Sequence, residues 1–306
     1  MNKKAKIISA AAAGIAAIGL AIGAVVLNHE DDSVPTVSSI VETTEPPATE
    51  PPALPRYEYV PSESGMTERA KMLLKKNKDI YGWIKIDNTQ VDYPVVRDPG
   101  EIPEGVAMYG GQALEYNSFY LDHGLDMNYL REGTLFMDWR DNFGSIEEDQ
   151  SENIVIYGHN MANNTMFGSL RRCRQDYEFY EQAPFIELSS NYRDYDYVIF
   201  AFLITSGNWY TDFVYWDMEE LDTPEEFNGY LEQVHSRQMI DTGIDVQPGD
   251  KLLTLSTCYA DEDNSRFLVV ARRLRDGEVA GDLSSVKHTD EYIKAQSEKN
   301  EESAEN

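Results

Sequence analysis

Cysteine is scarce in this chain: 306 residues carry two, Cys173 and Cys258. Two are too few for a disulfide scaffold, so at most one bridge could join them, and the fold must rest on a buried apolar core. Histidine is sparse and scattered, five in all, and no C-x-x-C or H-x-x-x-H pair occurs. The Asp and Glu runs also lack the spacing of a calcium loop, so no metal site is expected. Bases are outnumbered, 26 Lys and Arg against 54 Asp and Glu, for a net charge of −28. That balance excludes nucleic acid and anionic lipid as the main ligand.

One apolar run is long enough to cross a bilayer. Ile7–Leu27 contains only Ser9 as a polar residue, with Lys3, Lys4 and Lys6 before it and Glu30, Asp31 and Asp32 after it. A helix of that length spans a hydrocarbon core, and the lysines favour an N-terminus inside with the remainder outside. A cleaved signal peptide is the rival reading, but Val25-Val26-Leu27 makes a poor cleavage site. Residues 1–27 are therefore expected to form a cytoplasmic stub and signal anchor, which makes the membrane itself a partner. Residues 28–65 read as a tether: they are rich in Pro, Thr and Glu, and the pentapeptide Thr44–Ala48 repeats at once as Thr49–Ala53. Such a segment has no apolar periodicity to order it and should be extended, in part polyproline II. The polar, acidic residues 281–306 read as a disordered tail. That leaves 66–280 for one globular domain, long enough to bury a core.

Within that domain Thr67 caps a helix expected to run to about Asn77. Strands are expected at 81–86, 91–96, 133–138, 153–157, 195–204, 251–258 and 266–274, with Pro94 marking the second as an edge. Residues 98–116 read as a Gly/Pro-rich loop, and 165–182 as a helix with Met166, Leu170 and Cys173 on one face. Thr223-Pro224-Glu225-Glu226 opens another helix: a cap, a first-turn proline and a capping box. Short strands separated by turns favour a closed barrel over a doubly wound sheet, so the fold class is mainly β with peripheral helices.

The chemistry gathers at three strand tips. Cys258 ends the apolar run Leu253-Thr254-Leu255-Ser256-Thr257. Arg266 opens the run Phe267-Leu268-Val269-Val270-Ala271, and His159 follows Asn153–Tyr157 across Gly158. A thiol needs a nearby base or positive charge to become a thiolate. His159 could take that proton and return it to a leaving amine. Arg266, which stays protonated, suits a developing oxyanion, with the Tyr259 backbone N–H as a second donor. The reaction this permits is acyl transfer through a thioacyl-enzyme. Taken singly, each residue also has an ordinary structural reading: a small core cysteine, a turn histidine, a surface arginine. His123, in Leu121-Asp122-His123-Gly124, is a competing base. Cys173, between Arg172 and Arg174, reads as the inward residue of its helix.

Thr254-Leu255-Ser256-Thr257-Cys258 followed by Arg266 resembles the signature of the sortases, and Asn153–Asn160 with Met166-Phe167-Gly168 resembles their histidine segment. Asp79–Ile84, Val91–Val95 and Thr134–Arg140 are similar to class B members, as is the helix expected before the cysteine strand. The resemblance implies an eight-stranded sortase-like β-barrel over 66–275, with no cofactor. His159 would be acid/base, Cys258 nucleophile and Arg266 oxyanion or substrate stabiliser. Asn117, Leu121, Ser256, Thr257 and Tyr259 would be substrate-binding, the first three lining the groove. It implies as partners secreted proteins bearing a C-terminal sorting signal, cut after threonine. The acyl group would pass to an amine of a cell-wall precursor or to a pilin lysine, outside the cell membrane. A peptidoglycan-directed cysteine enzyme such as an L,D-transpeptidase is an alternative, though its usual His-Gly-Cys pattern is missing. A non-catalytic surface-binding barrel is another, and a Cys173–Cys258 bridge would favour it.

Overall fold

The fold is that of a computed structural model describing residues 64–97, 117–175, 177–207, 213–216, 221, 223–259 and 264–304. The expected membrane span at 7–27, nearly all of the tether at 28–65 and the 98–116 loop lie outside those residues. Among the described residues no helix is long and apolar enough to cross a membrane.

Eight strands form a closed barrel: β1 (Ile80–Lys85), β2 (Asp92–Arg97), β3 (Leu135–Met137), β4 (Asn153–Tyr157), β5 (Phe185–Ser190), β6 (Asp194–Ser206), β7 (Leu252–Tyr259) and β8 (Ser265–Arg273). Around the barrel they run β1-β2-β3-β4-β7-β8-β6-β5 and return to β1. The β2–β3 and β4–β7 pairings are parallel; the others are antiparallel. Alternate residues of each strand point inward. Leu135, Ile154, Ile156, Leu253, Leu255, Phe267 and Val269 belong to the cluster that fills the barrel. Val155, Leu252, Leu268 and Val270 point the other way, into a second cluster. That cluster is covered by α4 (Pro224–His235), which contributes Phe227, Tyr230, Leu231 and Val234.

The helix starts match their sequence signals. Thr67 Oγ1 accepts the Ala70 N–H ahead of α1 (Glu68–Leu74). Thr223 and Glu226 form the full capping box of α4, with Pro224 in its first turn. Four sequence expectations need correction. Pro94 does not mark an edge, because a closed barrel has none; it lies one residue before the β2–β3 ladder begins at Val95, so its missing N–H removes no rung there. The helix expected over 165–182 is broken into a 3₁₀ turn (Gly168–Arg171), α2 (Arg172–Gln175) and α3 (Tyr177–Gln182). β5 was not expected at all. Finally, the tail is ordered through its described residues: Val286 is buried, the Asp245 N–H donates to the Lys287 carbonyl, and α5 spans Asp290–Ala304.

Candidate active site

Strand alternation places the three proposed reactive residues on one face. Cys258 has the parity of outward-facing Leu252, and Arg266 that of Leu268 and Val270. His159, just beyond β4, continues the parity of Val155. The ladders then set their spacing. Arg273 N–H donates to the Lys251 carbonyl at 2.8 Å, and antiparallel pairs alternate between hydrogen-bonded and non-hydrogen-bonded. Counting from Lys251, Cys258 and Arg266 are directly opposed as a non-hydrogen-bonded pair, the kind that brings side chains closest. The same count makes Tyr259 and Ser265 a hydrogen-bonded pair. The Tyr259 N–H, considered above as an oxyanion donor, is thereby engaged in the ladder.

The turn bearing His159 is joined to this pair's strand through the parallel β4–β7 pairing, which sets Tyr157 beside Ser256. Beyond it the Gly158 N–H donates to the Ser256 carbonyl at 3.1 Å, Thr257 Oγ1 to the Gly158 carbonyl at 2.7 Å, and Asn160 Nδ2 to the Cys258 carbonyl at 3.0 Å. The His159 ring is held from the far side: Nε2 lies 2.7 Å from the Leu121 carbonyl. A carbonyl only accepts, so Nε2 carries a proton there, and Nδ1 is the nitrogen left for proton exchange.

Leu121 ends a short 3₁₀ turn, Phe119–Leu121, that is pinned on both sides. Tyr120 is fully buried, and its hydroxyl donates to Asp79 Oδ2 at 2.7 Å. Asn117, at φ 61°, gives Nδ2 to Asp138 Oδ2 (2.7 Å) and accepts the Trp139 N–H (2.9 Å). Asp138, fully buried, also accepts from the Tyr157 hydroxyl at 2.9 Å and from the Arg140 guanidinium. Burial first, and the Asp138 carboxylate second, push the Tyr157 phenol well above its ordinary pKa.

Several residues expected to bind substrate have side chains engaged within the protein. Both ends of the Asn117 amide are taken up. Ser256 is buried, its hydroxyl 2.7 Å from the Tyr215 hydroxyl, and Tyr215 is pushed up to about 12 by its burial. Thr257 is buried and spends its hydroxyl on Gly158. Leu121 remains exposed beside His159. The structure adds two groups that carried no role in the sequence reading, Asn160 and Tyr215. Asn160 followed His159 in the motif, whereas nothing in the sequence tied Tyr215 to Ser256.

The competitors fall away. Cys173 and Cys258 are both free, so no bridge joins them, and Cys258 is exposed. Cys173 lies buried in the barrel core, and that burial pushes its thiol up to about 12. His123 is buried, stacked on Phe119 with centroids 4.2 Å apart, and its Nδ1 lies 2.8 Å from the Phe119 carbonyl. Among the described residues no group of His, Cys, Asp and Glu could hold a metal ion.

Known proteins share this arrangement of chain. The family model described as the sortase domain matches residues 84–274. Sortase B of Listeria monocytogenes is 31% identical over 198 residues, covering 65% of this chain and 70% of that protein. Sortase B of Staphylococcus aureus is 29% identical over 211 residues, covering 66% and 73%. Among solved structures, a Staphylococcus aureus sortase B–substrate complex superimposes with a TM-score of 0.55 at 27% identity, covering 69% of this chain and 87% of that one. Sortase B from Listeria monocytogenes gives 0.52 at 30% identity, covering 68% and 100%. With a closed mixed barrel, a sortase-domain match over most of its length and sortase B relatives on both comparisons, the chain belongs to the sortases, the cysteine transpeptidases, and within them to class B.

Proposed function

We propose that this sortase is tethered to the cell membrane by residues 7–27, N-terminus inside, and works outside on secreted proteins carrying a C-terminal sorting signal. In this reading the tether at 28–65 holds the barrel away from the bilayer, within the cell-wall layer. Cys258 is the nucleophile. Its sulfur attacks the carbonyl carbon of a threonine in the sorting signal as His159 Nδ1 takes the thiol proton. The tetrahedral oxyanion is stabilised by the Arg266 guanidinium, a planar fork suited to that charge. Collapse breaks the peptide bond, and the departing amine takes the proton back from His159. A thioester at Cys258 remains. An acceptor amine, from a cell-wall precursor or a pilin lysine, then attacks it, loses a proton to His159, and leaves a new amide and a free thiol. No cofactor enters any step.

The observation that carries this reading is the exposed Cys258 thiol, directly opposite Arg266 and bound through its own carbonyl to the turn that bears His159. The Leu121 carbonyl on Nε2 supports the choice of Nδ1 as the exchanging nitrogen. The test is incubation of the detergent-solubilised full chain with a peptide library, followed by mass spectrometry of the adduct. The expected result is an acyl group on Cys258, cut after threonine, and none on Cys258→Ala or His159→Ala. Transfer by Cys258→Ala, or acylation only by muropeptides, would overturn it.

A further inference from the structure

The turn that carries His159 is built more stiffly than its length requires. Gly158 has no room for a side chain, since a Cβ there would collide with Leu135 and Phe167. The Phe167 N–H donates to the His159 carbonyl at 3.0 Å, and Asn160 bridges to Met166. Asn164 and Met166 both hold positive φ, 68° and 53°, a region that side-chain-bearing residues seldom occupy. Backbone of this kind persists where its surroundings over-determine it, and it gathers at functional sites.

Inside this turn Asn160 Nδ2 donates to the Cys258 carbonyl at 3.0 Å. A carbonyl accepts only, so the amide has one orientation and Oδ1 faces away. Oδ1 is buried and has no hydrogen-bond partner among the described residues. A buried acceptor left unpaired is unfavourable, yet the contact with Cys258 is kept. The contact also has a defined place in the ladder. Leu252 N–H and Ser256 C=O both face β4 and its turn, so the Cys258 carbonyl, of the same parity, faces there too. Asn160 is the side chain that meets it. The turn is already clamped to β7 by Gly158 N–H on Ser256 and by Thr257 Oγ1 on Gly158, so a further tie is not needed to hold the strand end.

We propose that Asn160 is a positioning residue for the transfer reaction. It ties the residue after the base to the main chain of the nucleophile, and so sets the approach of the His159 ring to the Cys258 thiol. The inference rests on the reading of these two as base and nucleophile.

The test compares full-length Asn160→Ala, Asn160→Asp and Cys258→Ala with the unmodified protein in the same transfer assay. Asn160→Asp preserves size and shape, but its carboxylate cannot donate to a carbonyl. Both Asn160 variants are expected to lose about 10- to 100-fold in kcat, the scale on which misplacing a reacting group acts, with KM and melting temperature unchanged. Wild-type kcat in Asn160→Ala beside an inactive Cys258→Ala would overturn the inference and leave the nucleophile assignment standing. A fall in kcat matched by a lower melting temperature and a raised KM in both variants would also overturn it, since Asn160 would then only hold the turn together. Full transfer by Cys258→Ala would remove the reading on which the inference rests.

Discussion

Two arginines on β8 share a strand and a face but lie at opposite ends of the β7–β8 ladder. Arg272, opposite Leu252, is fully buried and saturated. Its guanidinium forks onto both oxygens of Glu278 at 2.6 and 2.7 Å, and its Nε donates to the Asp245 carbonyl at 2.7 Å. Arg266, opposite Cys258, is half-buried, donates to the Ser265 carbonyl at 3.2 Å, and has no carboxylate partner among the described residues. Its guanidinium packs over Gly207, where a Cβ would come within 2.9 Å of its Cζ. The two ends therefore treat the same chemical group in opposite ways. One end surrounds the charge with partners; the other leaves a cation beside an exposed thiol. Side-chain type does not tell these roles apart, whereas the supply of partners does.

Substitution at each end sharpens this contrast. Arg272→Ala should destabilise the fold by about 3–5 kcal/mol, the scale of breaking a buried ion pair and stranding its carboxylate. Urea denaturation would read that loss, and transfer per folded molecule should be unchanged. Arg266→Ala should leave the urea midpoint in place and lower kcat about 10²- to 10³-fold, as the loss of one preorganised oxyanion donor does. Arg266→Lys should recover only part of that rate, because an ammonium cannot reproduce the planar fork. Equal effects of Arg266→Ala and Arg272→Ala on stability would break the comparison.

The saturated end also carries a pH signature. Burial raises the Glu278 pKa, but the Arg272 fork and the backbone N–H groups of Lys287 and Arg275 outweigh it and hold the carboxyl at about 2, below its ordinary 4.5. A folded pKa below the unfolded one means that the group's stabilisation is complete above the unfolded value and is lost on acidification. Stability should therefore decline as pH falls from about 4.5 to about 2, and Glu278→Gln should flatten that limb of the urea-midpoint profile. The smallest effect concerns the two thiols. Iodoacetamide should label Cys258 alone in the native protein and reach Cys173 only after unfolding, as intact mass would show.

Much of the barrel was legible because its strands are short apolar runs bounded by turn residues, buried on both faces. The sequence set Cys258 and Arg266 at strand tips; the faces became visible only in the structure, where Ile154 and Ile156, Leu253 and Leu255, and Phe267 and Val269 point inward and leave Cys258 and Arg266 on the other side. β5 escaped because Phe185–Ser190 has only Ile186 and Leu188 as fully buried apolar residues and ends in two serines. Pairing with β1 and β6 on either side, rather than local pattern, makes it a strand. The tail misled for the opposite reason. Its Glu, Lys, Ala and Gln are strong helix formers as well as solvating residues, and its start is fixed by Thr289, whose hydroxyl accepts the Tyr292 N–H. At the candidate site, residue types pointed to the proposed reactive groups but not to the side chains packed around them. Ser256 and Thr257 sit in the motif, yet whether a hydroxyl faces a groove or a buried phenol depends on Tyr215, which lies far off in sequence.

The parallel pairing of β4 with β7 also governs when the enzyme can exist. Asn160 and Cys258 are separated by 98 positions along the chain, so the turns bearing the proposed base and nucleophile are joined through one of the longer-range contacts among the described residues. Contacts of such separation form late and slowly, because a long loop must close before they reward it. A polypeptide truncated before β7 has the histidine turn but neither the Cys258 thiol nor the Arg266 cation, and one truncated before β8 has the thiol without the cation opposite. The proposed site is thus complete only once β4, β7 and β8 have all been made and paired.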